Sequence, residues 1–206
     1  MLIAITGGIG CGKSVVSEFL RVKGYPVYDC DANAKKLMTE DNRLRKELIA
    51  IFGPNTYYDN GSLNKSLLSQ AIFSSPELLK KMNAAVHPAV ARDIYHSIEL
   101  SKSTFTDKTH KESLFFYESA ILFESHFNEI AIPDKVISVS APLELRIMRI
   151  MARDKSTRED IEKRISNQMP QEEKDKLADY IIKNDDKSFV IAQLNHIIPN
   201  FFCQSR

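Results

Sequence analysis

Four of the chain's seven glycines fall within six residues, at Gly7, Gly8, Gly10 and Gly12. At ordinary usage a chain of 206 residues would carry about twice as many glycines. Glycine is therefore scarce in general and crowded at one place. It opens backbone conformations closed to other residues, at an entropic cost, so the crowding needs a physical cause. The flanks narrow the cause. Leu2–Thr6 is a short apolar run that predicts a buried strand. After Ser14 the pattern changes to helical period at Val15, Val16, Phe19 and Leu20, and Gly24 is placed to end it. Tyr25–Tyr28 predicts a second strand running into Asp29-Cys30-Asp31. The glycines thus join a strand to a helix in a βαβ unit.

Gly7 to Ser14 fits G-x-x-x-x-G-K-[ST] at every fixed position. A polyphosphate needs many donors converging on a small volume. Backbone N–H groups supply them only where the chain wraps closely and side chains are absent. The following helix adds the positive end of its dipole. The pattern predicts ATP binding by Gly8, Ile9, Gly10, Cys11, Gly12, Lys13, Ser14 and Val15. Lys13 reaches the β- and γ-phosphates, and the Ser14 hydroxyl is the expected Mg²⁺ ligand. Cys11 is either a small filler whose backbone N–H matters or a reactive thiol, and reactivity would need a depressed pKa.

Composition removes several classes. Lysine and arginine total 28 against 27 aspartate and glutamate, a net charge of +1. That balance argues against bulk electrostatic binding of nucleic acid, although a local basic patch stays possible. No apolar run approaches the roughly 18 residues of a membrane helix. The first residues lack the basic start and cleavage site of a signal peptide. Cys11, Cys30 and Cys203 form neither a disulfide framework nor a metal spacing. The expectation is a reduced, cytoplasmic compartment, with no membrane partner, and a monomer or weak homo-oligomer.

Further along, residues 32–100 read as nearly all helix. Leu44, Leu48, Ile51 and Phe52 share a face closed by Gly53-Pro54, and Asp59-Asn60-Gly61 is a turn signal. Leu67, Leu68, Ala71 and Ile72 mark another helix, and Ser75-Pro76-Glu77 opens a third. His87-Pro88 is expected to break that third helix before Val90, Ala91, Ile94 and Ile98 continue the period. Ser101–Ser113 is polar and predicts a surface loop. Leu114–Tyr117, ending at Glu118, and Val136–Val139 predict strands three and four. Pro142 opens a helix carrying Leu145, Met148 and Ile150. Ser156-Thr157-Arg158-Glu159 matches a capping box. A fifth strand is expected within Ala178–Lys183 and a last helix over about 187–198. Strands alternating with helices predict an α/β fold with a mainly parallel sheet of five strands.

Candidate chemistry lies at strand ends, where parallel sheets bind ligands. Asp29 and Asp31 follow strand two, and Glu118 follows strand three. If the segment is extended, Asp29 and Asp31 share a face. Asp31 is then either a cleft carboxylate or the cap of a helix over 32–38. Arg149 and Arg153 are four apart and neighbours on one helix face, with Arg146 nearby. They either close onto a transferring phosphate or form a solvated basic face. His87 is either a substrate-side group or a structural histidine.

The chain resembles the dephospho-CoA kinase family. The resemblance spans essentially its whole length and rests on I-T-G-G-I-G-C-G-K-S at 5–14, Y-D-C-D at 28–31, H-P at 87–88 and L-F-E at 122–124. It continues through R-x-x-x-R-D at 149–154, R-I-x-x-Q at 164–168 and A-D-x-x-I-x-N at 178–184. The glycine loop alone would indicate only a phosphate-loop enzyme. The order and spacing of all these pieces are more specific. The resemblance implies a P-loop NTPase-type three-layer sandwich with a helical insertion and a lid: a core over about 1–31, 101–152 and 175–206, a CoA-binding helical subdomain over about 32–100, and a lid over about 153–174. It implies Mg²⁺- and ATP-dependent phosphorylation of the ribose 3′-hydroxyl of dephospho-CoA. Asp31 matches the second Asp of the family's D-x-D, its proposed catalytic base. Arg149 and Arg153 match the arginines near the lid, and His87 moves towards a substrate-side role. Two departures stand out. Val15 replaces a common Thr, removing a hydroxyl while keeping the N–H. Ser119-Ala120-Ile121 replaces an apolar-Pro-Leu run, leaving Glu118 as an extra acid near the strand end, a candidate substrate contact that either touches the metal or only caps the turn. Two other readings compete: a phosphate-loop kinase for a nucleoside monophosphate or another small metabolite, and a nucleotide-binding switch, for which no switch loops are evident.

Overall fold

The computed structural model describes residues 1–104 and 114–203. Five strands form one sheet: β1 Leu2–Thr6, β2 Val27–Asp29, β3 Phe115–Glu118, β4 Lys135–Ser140 and β5 Tyr180–Lys183. Their order is β2-β3-β1-β4-β5 and every pairing is parallel. β1 is therefore central. The chain leaves it towards β2 and β3 on one side, then returns to build β4 and β5 on the other. Such a reversal of strand order opens a crevice at the carboxyl ends of the middle strands, where the glycine loop begins.

Alternation along the strands places helices on both faces. Ile3 and Ile5 of β1, and Ile137 and Val139 of β4, join one buried cluster. That cluster includes Val16 and Leu20 of α1 (Lys13–Val22) and Leu194 of α9 (Val190–Ile197). The intervening residue Ser138 points the other way and bonds to α8 (Gln171–Leu177). On that second face the Tyr117 ring meets Phe127 edge-on, and its hydroxyl donates to the Ala131 carbonyl at 2.7 Å. The result is three layers, helix–sheet–helix. α6 (Leu143–Asp154) follows β4, and α7 (Arg158–Ser166) packs Ile161 against Ile147 and Ile150. A short α10 (Asn200–Cys203) ends the described chain.

The molecule divides into two compact units. The first, 1–29 with 98–206, holds the sheet. The second, Cys30–Ser97, is helical: α2 Cys30–Glu40, α3 Asn42–Phe52, α4 Lys65–Ser74 and most of α5 Pro76–Thr104. Asp41 caps α3 by accepting from the N–H groups of Arg43 and Leu44. Asn64 caps α4 through Leu67 N–H. The Tyr57 hydroxyl donates to Met38 O at 2.6 Å, and Arg45 lies over the Tyr57 ring, so the connection after α3 is fastened to α2.

Four local expectations change. His87-Pro88 does not break the helix, because α5 runs through Pro88. Proline removes one donor and crowds the carbonyl four residues back. Here Ala85, Val86, Ala89, Val90 and Ile94 are buried on both sides of it, which holds the two halves in line. The segment after β2 is not extended: α2 begins at Cys30, so Asp29 and Asp31 do not share a strand face. Asp31 sits in the first helical turn. The capping box moves by one residue. Thr157 is the cap, accepting from Asp160 N–H while its hydroxyl donates to the Asp160 carboxylate. Finally, the expected loop over Ser101–Ser113 is helical to Thr104, and 105–113 lie outside the described residues.

Candidate active site

The loop leaves β1 at Thr6 and enters α1 at Lys13. Gly12 caps α1 in the left-handed conformation, φ 93°, with no capping side chain. No capping side chain therefore covers the start of the helix, the arrangement an anion needs. Gly7 has φ 141°, and a Cβ there would lie 2.3 Å from the Val139 carbonyl oxygen. The obstacle is backbone of a strand in the same sheet, so it cannot swing aside. Gly7→Ala should cost about 2–5 kcal/mol from overpacking and positive-φ strain together. At this chain length that lowers the melting temperature by roughly 5–15 °C. A thermal melt within a degree or two of the unchanged protein would refute the close approach.

Side chains from distant elements grip the loop from outside. Gln171 Oε1 accepts from Gly8 N–H at 2.9 Å, and Gln168 Oε1 accepts from Ile9 N–H at 2.9 Å. Arg146, only 5% exposed, donates Nε to the Ile9 carbonyl at 2.9 Å. Its guanidinium fills the space where a Cβ at Gly8 would sit. Arg146 is thus a buried loop holder, not part of a solvated face. Asn184 donates Nδ2 to the Cys11 carbonyl at 2.8 Å. Lys13 folds along the loop, donating Nζ to Gly7 O at 2.9 Å and Gly8 O at 3.4 Å. Cys11 is fully buried, and burial pushes its thiol pKa up, against the opposing pull of Arg146 and Lys13. The filler reading of Cys11 fits this environment, because a reactive thiolate needs the opposite shift.

Ser14 and Val15 are exposed on the first turn of α1. Glu118, at the carboxyl end of β3, accepts from the Ser17 hydroxyl at 2.6 Å. Arg149 donates to the Asn184 backbone and side-chain oxygens at 3.1 and 3.2 Å, and to Asp186 at 2.6 Å. Asn184 therefore links Arg149 to the loop carbonyl at Cys11. Arg153 is more exposed and pairs with Asp154 at 2.6 Å. That hydrogen bond, with a second from Arg164, holds the Asp154 carboxyl down at about 2. Next to the loop, at the ends of β4 and β5, is a cleft of about 650 Å³ lined by Ser140, Pro142, Arg146, Gln168, Gln171 and Lys183, among others.

On α8, Lys174 is fully buried and pairs with Glu124 at 2.6 Å. Glu124 also accepts from Met169 N–H, and Lys174 donates to the Ala120 carbonyl. These bonds fix segment 168–175 to the turn after β3.

Asp31 and His87 belong to the helical unit. Asp31 is exposed at the start of α2. His87 is half-buried on α5, and burial lowers its pKa. A folded-state pKa below the unfolded value means the neutral ring is favoured in the fold. Its contribution is present above the unfolded pKa, about 6.5, and is lost as pH falls through the lowered folded value. His87→Gln should therefore flatten the acid limb of the stability–pH curve below about pH 6.5. Parallel limbs in denaturant titrations of the two proteins would count against it.

Gln171 and the loop-holding role of Arg146 escaped sequence reasoning. Helix α8 has no strong apolar stripe, and an arginine beside two others reads as surface. Gln168 and Asn184 were visible only as letters of the resemblance.

A glycine loop joining a central parallel strand to an uncapped helix, inside a three-layer sandwich, defines a phosphate-loop protein. Residues 1–189 match the CoaE family, dephospho-CoA kinase. A dephospho-CoA kinase of Bacteroides fragilis is 40% identical over 198 residues, covering 95% of this chain and 90% of that protein. Two solved structures are also similar. TT1252 from Thermus thermophilus has a TM-score of 0.77 at 34% identity, covering 100% of this chain and 98% of that one. The dephospho-CoA kinase from Campylobacter jejuni has a TM-score of 0.65 at 28% identity, covering 97% and 96%. The chain belongs to the dephospho-CoA kinase family.

Proposed function

We propose that this chain transfers the γ-phosphoryl group of ATP to the ribose 3′-hydroxyl of dephospho-CoA, giving CoA and ADP. The observation that carries this reading is family membership across residues 1–189, which includes the whole helical unit as well as the loop. The loop by itself would serve any phosphate-loop kinase.

Phosphoryl transfer asks the protein mainly for position and charge. The expected ATP contacts over 8–15 narrow to the N–H groups at the end of the loop and the start of α1, at Gly10, Gly12, Lys13 and Ser14. Those of Gly8 and Ile9 are given to Gln171 and Gln168, and those of Cys11 and Val15 to the Gly8 and Gly12 carbonyls. Lys13 turns its ammonium from the loop carbonyls to the β- and γ-phosphates. Asp31 orients the acceptor hydroxyl and takes its proton. Arg149 and Arg153 offset charge on the transferring group as the lid, expected over about 153–174, closes and excludes water. Its moving part is the stretch before Gln168, because 168–175 is tied to the loop and to the turn after β3. Residues 32–100, with His87, form the side that receives dephospho-CoA. The exposed Ser14 hydroxyl suits Mg²⁺, which keeps waters and phosphate oxygens as its other ligands. When bound, that ion neutralises charge on the phosphates. No cluster of three His, Cys, Asp or Glu side chains placed to hold a metal occurs among the described residues. No described helix is long and apolar enough to cross a membrane. Cys11 and Cys30 are buried, and a reducing cytoplasm is the compartment proposed for them.

The test is ADP release on addition of dephospho-CoA, run beside a panel of nucleoside monophosphates and small hydroxylated metabolites. Selective stimulation by dephospho-CoA is expected. Preference for a monophosphate would return the protein to the wider class of phosphate-loop kinases.

A further inference from the structure

The outer arm of the loop is a turn, Gly8–Cys11, closed by Cys11 N–H donating to Gly8 O at 3.2 Å. Gln171 holds both ends of it with one atom. Its Oε1 accepts from Gly8 N–H at 2.9 Å and from the Cys11 thiol at 3.2 Å. Gln171 is 8% exposed, and its own orientation is fixed from behind. Nε2 donates to Asp175 Oδ1 at 2.7 Å and to Ser138 Oγ at 3.1 Å, while Ser138 donates to the same Asp175 oxygen at 2.6 Å. Both acceptor sites and both donors of the carboxamide are thus used. Flipping the amide would set N–H against N–H at Gly8 and oxygen against oxygen at Asp175, so only one orientation is tolerated. The held turn leads directly into Gly12 and the first turn of α1, whose N–H groups receive no side-chain cap.

We propose that Gln171 is a positioning residue of the phosphate loop, stapling the Gly8–Cys11 turn into the shape that ATP binding requires. This rests on the reading of the loop as the ATP site given above. Gln171 touches no phosphate. It acts through the loop backbone, with Ser138 and Asp175 as its backing. Among the amino acids, glutamine meets all four demands at this reach. Glutamate would place a second carboxylate against Asp175. Methionine would leave Gly8 N–H without its acceptor.

The test compares ATP kinetics of Gln171→Glu, Gln171→Asn and the double variant Gln171→Glu with Asp175→Asn. In Gln171→Glu the two carboxylates repel, the staple opens, and KM for ATP should rise about tenfold or more. The KM for dephospho-CoA should stay within about threefold, because the effect enters through the loop alone. Asp175→Asn in that background reverses the donor and acceptor: the new amide donates to the carboxylate introduced at position 171, whose other oxygen still receives Gly8 and Cys11. Most of the lost ATP affinity should then return. Gln171→Asn keeps a neutral carboxamide but is one carbon short of spanning Gly8 and Asp175. It carries the test if Gln171→Glu does not fold, and it too should raise the KM for ATP. The proposal is overturned if both single variants keep the original KM for ATP while the unchanged protein converts dephospho-CoA. It is equally overturned if Gln171→Glu is impaired and Asp175→Asn restores nothing. An unchanged protein that itself makes no CoA would instead overturn the functional reading, and this inference with it.

Discussion

Asp31→Asn is expected to lower turnover by about 10²–10⁴, with ATP binding largely kept. The substitution is nearly isosteric and removes the carboxylate's negative charge together with its ability to take a proton. Its structural cost is bounded by where Asp31 sits. The residue is exposed in the first turn of α2, where a negative charge is worth roughly 0.3–1 kcal/mol to the helix. A loss of that size shifts the melting temperature by a few degrees, and a thermal melt of the variant reads it separately from the kinetic defect. The two roles left open by the residues alone therefore separate cleanly. If Asp31 only stabilises the helix start, the variant melts slightly earlier and turns over normally. If it is the base, the fold is intact and the chemistry collapses. Near-normal turnover, measured at saturating ATP and dephospho-CoA, would end the base assignment.

Lys13→Ala should be comparably severe but differ in kind. Removing a charge that clamps the transferring group typically costs about 10²–10³ in rate. Here ATP affinity should fall as well, because in the proposed mechanism the same ammonium meets the β-phosphate before transfer. The structure adds a second consequence. Lys13 is 9% exposed and ties its Nζ to the Gly7 and Gly8 carbonyls, so alanine also frees those oxygens. Lys13→Arg keeps the charge yet presents a planar fork in place of a compact ammonium, and should recover only part of the loss. Steady-state kinetics with direct ATP titration separate the two components. Unchanged affinity and rate in Lys13→Ala would contradict the loop assignment.

Much of the fold was readable because its strongest signals are local. The apolar run at 2–6, the glycine loop and the helical period after Ser14 each need only neighbouring residues to be interpreted. The five strands and the two glycine-closed helix ends at Gly24 and Gly53 follow for the same reason. What sequence periodicity missed depends on distant partners. Pro88 carries a strong local instruction to stop a helix, and burial of Ala85, Val86, Ala89 and Val90 overrides it. Cys30 begins a helix directly at the end of β2, which turns Asp31 away from the strand pattern assumed for it. Arg146 looks like one of three surface arginines until the Ile9 carbonyl, 137 positions earlier, is seen to receive it. Gln171 lies 163 positions from Gly8, in a polar helix with no motif to mark it. The loop's residue types can be read from the chain, whereas the side chains that hold its shape become visible only once the sheet brings β4, α6 and α8 around it.

The central claim concerns where the phosphate goes. Purified protein should be incubated with ATP, Mg²⁺ and dephospho-CoA, and the product examined by phosphorus NMR and mass. The expected result is a new phosphomonoester on the ribose 3′-oxygen, formed in step with ADP. ATP turnover without a phosphorylated product, or transfer to a different oxygen, would contradict the assignment.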